Sequence, residues 1–190
     1  MHMGEVEEMK SFLQNKRIEN VQFKFISPNL LSKILNTPNR LNIFNYSFYL
    51  AYYFWHYEAY RFVKYKIDID DYDLIHYLNP IGYREPGFLW KIDKPYMWGP
   101  VGGLNNFPFQ FLKYLNSFGK LKLLFRSFVN LIQLNFSSRV KKAFTKTDLL
   151  LSSTRNNQNL IKKYFDKESI YIPENSIDSL KFFDTKYIIN

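Results

Sequence analysis

Three short apolar runs constrain the fold more than anything else in the chain. Asp73-Leu74-Ile75-His76-Tyr77-Leu78, Pro95-Tyr96-Met97-Trp98 and Asp148-Leu149-Leu150-Leu151 each read as a buried strand. Each then meets residues that break a strand: Asn79-Pro80, Gly99-Pro100 with Gly102-Gly103, and Ser152-Ser153-Thr154. Phe107 to Phe144 has helical spacing, with breaks at Ser117-Phe118-Gly119 and near Ser137-Ser138. A hydroxyl in Ser152-Ser153-Thr154 can cap a helix running to about Phe165, and Ser169-Ile170-Tyr171-Ile172 forms a last short strand. Pro86 to Lys91 fits a short helix opening on proline. Strands separated by helices predict an open parallel sheet with helices on both faces.

Upstream, Val6, Met9 and Leu13 give Glu5 to Lys16 a helical spacing, with its acids at the favourable N-terminal end. Val21 to Ile26 alternates apolar and polar like a strand and stops at Ser27-Pro28. Leu41 to Lys66 lacks Gly and Pro and sets Phe44, Phe48, Tyr52, Trp55, Ala59 and Phe62 at helical spacing. Aromatic residues occupy its other faces too, which reads as a helix gripped by the core on several sides; the alternative is an interface or membrane contact.

A chain of 190 residues, 46% hydrophobic and 19% aromatic, is long enough for one substantial core. It has no cysteine, which excludes disulfides and thiolate metal sites, and its three histidines, His2, His56 and His76, show no metal-ligand spacing. The acidic start, Met1 to Glu8, lacks the order of a signal peptide, and the most apolar stretches are interrupted by polar residues, Lys120, Lys122, Arg126 and Asn130 among them.

The placement of charge is sharper than its sum. From Lys94 through Thr147 there is no acid but nine Lys and Arg; the rest of the chain balances its 17 acids, so the whole net charge of +9 lies in this segment. There Lys113, Lys120, Lys122 and Arg126 are interleaved with large apolar residues. Such a pattern suits an anionic membrane surface, or equally a solvated helix face over the core. Nucleic acid is disfavoured, because no recognised binding motif accompanies the charge.

In a parallel sheet the C-terminal strand ends face the ligand, which gathers His76, Gly99 to Gly103 and Ser152 to Thr154 along one edge. Glycines there let backbone N–H groups approach a phosphate or sugar hydroxyl, or merely make a tight turn. His76 can accept a proton, hydrogen-bond a sugar hydroxyl or cap the backbone. Arg84 and Glu85 can bind an acceptor or pair with each other; Glu174 and Asp178 can be linker residues or contacts to a second domain.

These residues resemble the N-terminal, acceptor-side domain of the family 4 glycosyltransferases, retaining enzymes of the two-domain GT-B fold. The resemblance rests on Asp73 to His76, on Arg84-Glu85-Pro86-Gly87-Phe88-Leu89-Trp90 and above all on Pro95 to Gly103 followed by Pro108. It extends to Lys142-Ala143-Phe144 with Asp148 to Thr154, and to Pro173-Glu174-Asn175-Ser176-Ile177-Asp178. It implies a Rossmann-like half of a GT-B fold over residues 1–178, lacking the usual first strand and its glycine-rich loop. Residues 179–190 then begin a linker to a donor-binding domain or separate subunit.

The implied reaction is sugar transfer from a nucleotide-sugar to a cell-envelope or polysaccharide precursor, with the donor as co-substrate, no cofactor held by this domain and no bound metal. By resemblance His76 orients or deprotonates the acceptor hydroxyl, and Gly102 and Gly103 bring N–H groups to the cleft. Arg84, Gly99, Ser153 and Thr154 complete the acceptor side, a sugar or lipid-linked acceptor being the partner. The implied location is cytoplasmic, peripheral on the inner membrane face, and the chain is expected to be inactive alone. The alternative is a non-catalytic module that docks on membrane or a partner.

Overall fold

The structure, a computed structural model, describes residues 3–15, 20–44, 47–78 and 80–173. Asn79, the segment from Glu174 to Asp178 and residues 179–190 therefore lie outside the described residues. The chain divides into two compact units, Met1–Phe62 and Val63–Asn190.

The first unit holds α1 (Met3–Asn15), α2 (Leu30–Arg40) and most of α3 (Ser47–Lys66), which runs across the division. Asn29 starts α2, its side-chain oxygen accepting from the Ser32 N–H at 2.8 Å. Residues 21–26 keep their alternation, yet they form no strand: among the described residues no ladder partner pairs with them, and Val21, Phe23 and Phe25 remain exposed. A side chain anchors this segment instead, the Trp55 indole donating to the Ile26 carbonyl at 3.0 Å. α3 begins at Ser47 rather than Leu41, and its rings pack along the helix, Phe48 on Tyr52 at 5.0 Å and Tyr52 on Trp55 at 5.5 Å. Only Ala51 and His56 of its described residues are fully buried, so it is half-buried rather than gripped all round.

The second unit is α/β. β1 (Ile75–Tyr77), β2 (Tyr96–Val101), β3 (Leu149–Ser152) and β4 (Ile170–Tyr171) form an all-parallel sheet in the order β1-β2-β3-β4, a Rossmann-like open sheet. α4 (Ser117–Phe136) and α5 (Ser138–Lys146) connect β2 to β3, and α6 (Arg155–Phe165) connects β3 to β4. The caps fall where the polar residues interrupt the apolar pattern: Asn116, Ser137 and Thr154 each accept from the first turn of α4, α5 and α6. Ser117-Phe118-Gly119 is thus the opening of a helix rather than a break in one. Between β1 and β2 the chain makes only a 3₁₀ turn over Leu89–Lys91, shorter than the helix expected from Pro86.

β2 does not stop at Gly99-Pro100; it bulges through it. Trp98 pairs with Leu150 and Val101 with Ser152, so β2 spends one residue more than β3. Gly99 takes a φ of +125°, and a Cβ there would collide with the Leu151 carbonyl oxygen; only glycine fits.

The core lies on one side of the sheet. Tyr77, Tyr96, Trp98 and Leu150 pack with Val140, Ala143 and Phe144 of α5, Leu134 of α4 and Ile161 of α6. Phe144 sits at its centre, 4.6 Å from the Trp98 ring and stacked on Phe165 at 4.0 Å.

Candidate functional site

Beyond β1 and β2 the chain closes their C-terminal edge with backbone bonds. Gly82 bridges Gly102: the Gly102 N–H donates to Ile81 at 2.8 Å and the Tyr83 N–H to the Gly102 carbonyl at 3.1 Å. This engages the Gly102 N–H within the protein, whereas Gly103, at a φ of +77°, is exposed on the edge. Gly99 lies inside the strand and is buried. Of the three glycines expected at the cleft, Gly103 alone is presented to solvent.

His76 is the middle residue of β1, on the side of the strand opposite Ile75 and Tyr77. Its Nε2 lies 2.9 Å from the Gly99 carbonyl. A carbonyl only accepts, so this contact puts the proton on Nε2 and leaves the Nδ1 lone pair as the basic position of the neutral ring. The ring is exposed, and the bulge that glycine permits is what offers the carbonyl.

Ser153 and Thr154 follow β3 and serve the start of α6. The Ser153 N–H donates to Val101 at 3.0 Å and its buried hydroxyl accepts from Asn157 Nδ2 at 3.0 Å, while Thr154 Oγ1 accepts from the Asn157 N–H at 3.0 Å. Asn156 Nδ2 donates to Asn105 Oδ1 at 2.8 Å, tying the loop after β2 to the same helix end.

Arg84 and Glu85 do not pair with each other. Glu85 is buried and takes a two-pronged contact from Arg139 of α5, at 2.6 and 3.1 Å. Burial pushes its carboxyl above the usual carboxylate range, with Arg139 pulling it part of the way back. Arg84 Nη2 donates to Asn130 Oδ1 at 2.7 Å, and Tyr83 Oη donates to the same oxygen at 2.6 Å. Asn130 Nδ2 in turn donates to the Leu104 carbonyl and to Asn106 Oδ1, both at 2.9 Å. This one amide therefore uses its full bonding capacity to hold the post-β1 and post-β2 loops against α4. Sequence reasoning missed both Asn130 and Arg139 as organisers. The available signal was an Asn in the middle of an apolar helical stretch.

Lys113, Lys120, Lys122 and Arg126 are all exposed, the first on a 3₁₀ turn over Phe109–Tyr114 and the others on α4. A concavity lined by Trp90, Ile92, Lys94, Lys146 and Asp148 lies at the opposite, N-terminal end of β2 and β3, away from His76 and Gly103. Among the described residues, no cluster of His, Asp or Glu could hold a metal ion, and no helix is long and apolar enough to cross a membrane. No protein-family model, curated protein or solved structure matches the chain.

Proposed function

We propose that the chain is the acceptor-binding half of a retaining, family 4-type glycosyltransferase, peripheral on the cytoplasmic face of the membrane and acting on a cell-envelope or polysaccharide precursor. The observation that carries this reading is the His76 to Gly99 contact, which fixes one ring nitrogen and leaves Nδ1 of an exposed ring to act as a base. In this reading the acceptor hydroxyl oxygen bonds to the anomeric carbon on the same face from which the diphosphate departs, which retains the configuration, and Nδ1 takes the hydroxyl proton. The bond from that carbon to the diphosphate breaks, and the nucleoside diphosphate leaves. The nucleotide-sugar is held by a donor-binding domain or separate subunit, and the Gly99 bulge and the Asn130 bonds keep the acceptor edge in place.

The test is turnover of a panel of nucleotide-sugars by the purified chain, alone and mixed with the product of any adjacent reading frame. Activity in the mixture is expected, with retention at the anomeric carbon. His76→Ala, an exposed change that spares the core, lowers kcat by about 10²–10⁴-fold. Unchanged turnover in His76→Ala, or no transfer in either arrangement, overturns the reading. The outward apolar face of α4 favours a second reading, a non-catalytic docking module, whose surface is taken up next.

A further inference from the structure

α4 is apolar on two opposite sides. At about 100° per residue, Leu123, Ser127, Asn130 and Leu134 share the inward side, where Asn130 and Leu134 are buried. Phe118, Leu121, Phe125, Phe128, Ile132 and Phe136 fall on the other side at three- and four-residue steps, and all are exposed, by 42% to 79%. A helix that only covered the core would turn polar residues outward. Here the basic residues sit on the flanks: Leu124 and Leu131, also exposed, widen the outer stripe as far as Lys120 on one side, Lys122 and Arg126 lie on the other, and the helix contains no acid. The preceding 3₁₀ turn continues the pattern, exposing Phe109, Phe111 and Tyr114 beside Lys113. Within the first unit, taken by itself, α2 shows the same inversion: Ser32 is buried, while Leu30, Leu31 and Ile34 face solvent in a helix with Lys33 and Arg40 and no acid.

We propose that the outer face of α4 and the 3₁₀ turn before it form a docking surface for an anionic lipid bilayer, with α4 lying in the membrane plane. Its aromatic and aliphatic side chains enter the headgroup and acyl boundary, and Lys113, Lys120, Lys122 and Arg126 meet lipid phosphates. Charge selects this occupant over a second copy of the chain. Packing two such faces together brings each basic flank against another, with no acid anywhere from Lys94 to Thr147 to offset it; anionic lipid supplies the missing charge. The hydropathy of α4, which carries Lys120, Lys122 and Arg126, also fits a helix that lies in the interface rather than one that spans it. This surface rests on the peripheral-membrane part of the reading above, and it involves neither His76 nor Gly103.

The experiment is co-sedimentation of the full chain with phosphatidylglycerol vesicles and with phosphatidylcholine vesicles, at low and high salt. Binding to the anionic vesicles is expected, weakening as salt rises. The triple change Lys120→Gln, Lys122→Gln and Arg126→Gln lowers the partition coefficient about a hundredfold. Phe125→Ser with Phe128→Ser abolishes binding while leaving the circular dichroism unchanged, because neither side chain belongs to the core. Equal binding to both vesicle types, or binding that survives the double serine variant, overturns the proposal. So does a dimer in solution that the double serine variant dissociates, which assigns the face to a second copy. Sugar transfer without vesicle binding overturns this surface and the peripheral location but leaves the transferase reading, whereas vesicle binding without sugar transfer overturns the transferase and leaves the surface, so the two failures are distinguishable.

Discussion

α4 and α5 are consecutive helices separated by the single residue Ser137, and both are basic and free of acids, yet they dispose their apolar side chains in opposite ways. α5 turns Val140, Ala143 and Phe144 into the core and leaves Lys141, Lys142 and Lys146 in water. α4 spends little of its hydrophobicity on the core, and most of it faces outward. Positive charge is therefore no guide to what a helix of this chain does. In α5 the lysines solvate a buried helix; in α4 they border an apolar surface.

The sharpest way to break that contrast is to truncate one phenylalanine in each helix. Phe144→Ala, at 1% exposure in α5, is expected to cost about 3–5 kcal/mol in urea denaturation. Phe125→Ala, at 60% exposure in α4, should stay within about 0.5 kcal/mol. Equal losses would mean that α4 is also a core helix, and the distinction would collapse.

A second comparison is between the polar groups by which the two helices hold the loops, Arg139 from α5 and Asn130 from α4. Arg139→Met strands Glu85 in a buried position and should destabilise by about 3 kcal/mol near neutral pH. The pH dependence has a definite sign. Burial raises the Glu85 pKa above its ordinary value of 4.5, so its contribution to stability is fully present below that value and is lost as pH rises through the folded-state pKa. Without Arg139 the carboxyl rises further, so the gap between variant and parent should be small in acid and open as the pH passes the carboxylate range. Thermal melts across that range measure it, and a gap that widens in acid would mean that Arg139 stabilises the fold by something other than its bonds to the ionised Glu85.

The smallest effect is expected at the exposed end of α6. Lys162 reaches Asp166 at 2.8 Å and holds its carboxyl below the usual range, so the interaction is present above the ordinary Asp pKa and lost as pH falls through the lowered one. Both groups lie in water, and Asp166→Asn should leave the midpoint of unfolding essentially unmoved at neutral pH. A large shift there would show that exposed charges matter more to this fold than the contrast between α4 and α5 allows.

What the sequence made legible was the part governed by short-range chemistry. The parallel α/β order, the start of α5 at Ser137-Ser138 and the Thr154 cap of α6 follow from local spacing and from side chains that compete for the backbone. What escaped depends on partners distant in the chain. Val21 to Ile26 alternates like a strand but has no ladder to join among the described residues. β2 survives Gly99-Pro100 because Leu151, more than fifty residues on, comes so close that the glycine becomes the fitting residue and the proline sits in a bulge. At the candidate site, His76 and the glycine run were visible as motifs. Which glycine stays accessible, and that Glu85 answers to Arg139 rather than Arg84, required the tertiary pairing.

The strand order carries a consequence for any ligand. Doubly wound sheets bind at a switch point, where neighbouring strands send their connections to opposite faces and the loops part. The described strands run β1-β2-β3-β4 without reversal, and the Gly82 to Gly102 bridge seals β1 to β2 past their ends. The described sheet therefore has no crevice created by its own winding. A ligand at this edge would rest on a shelf, and the wall that turns the shelf into a binding cleft has to come from whatever stands opposite it.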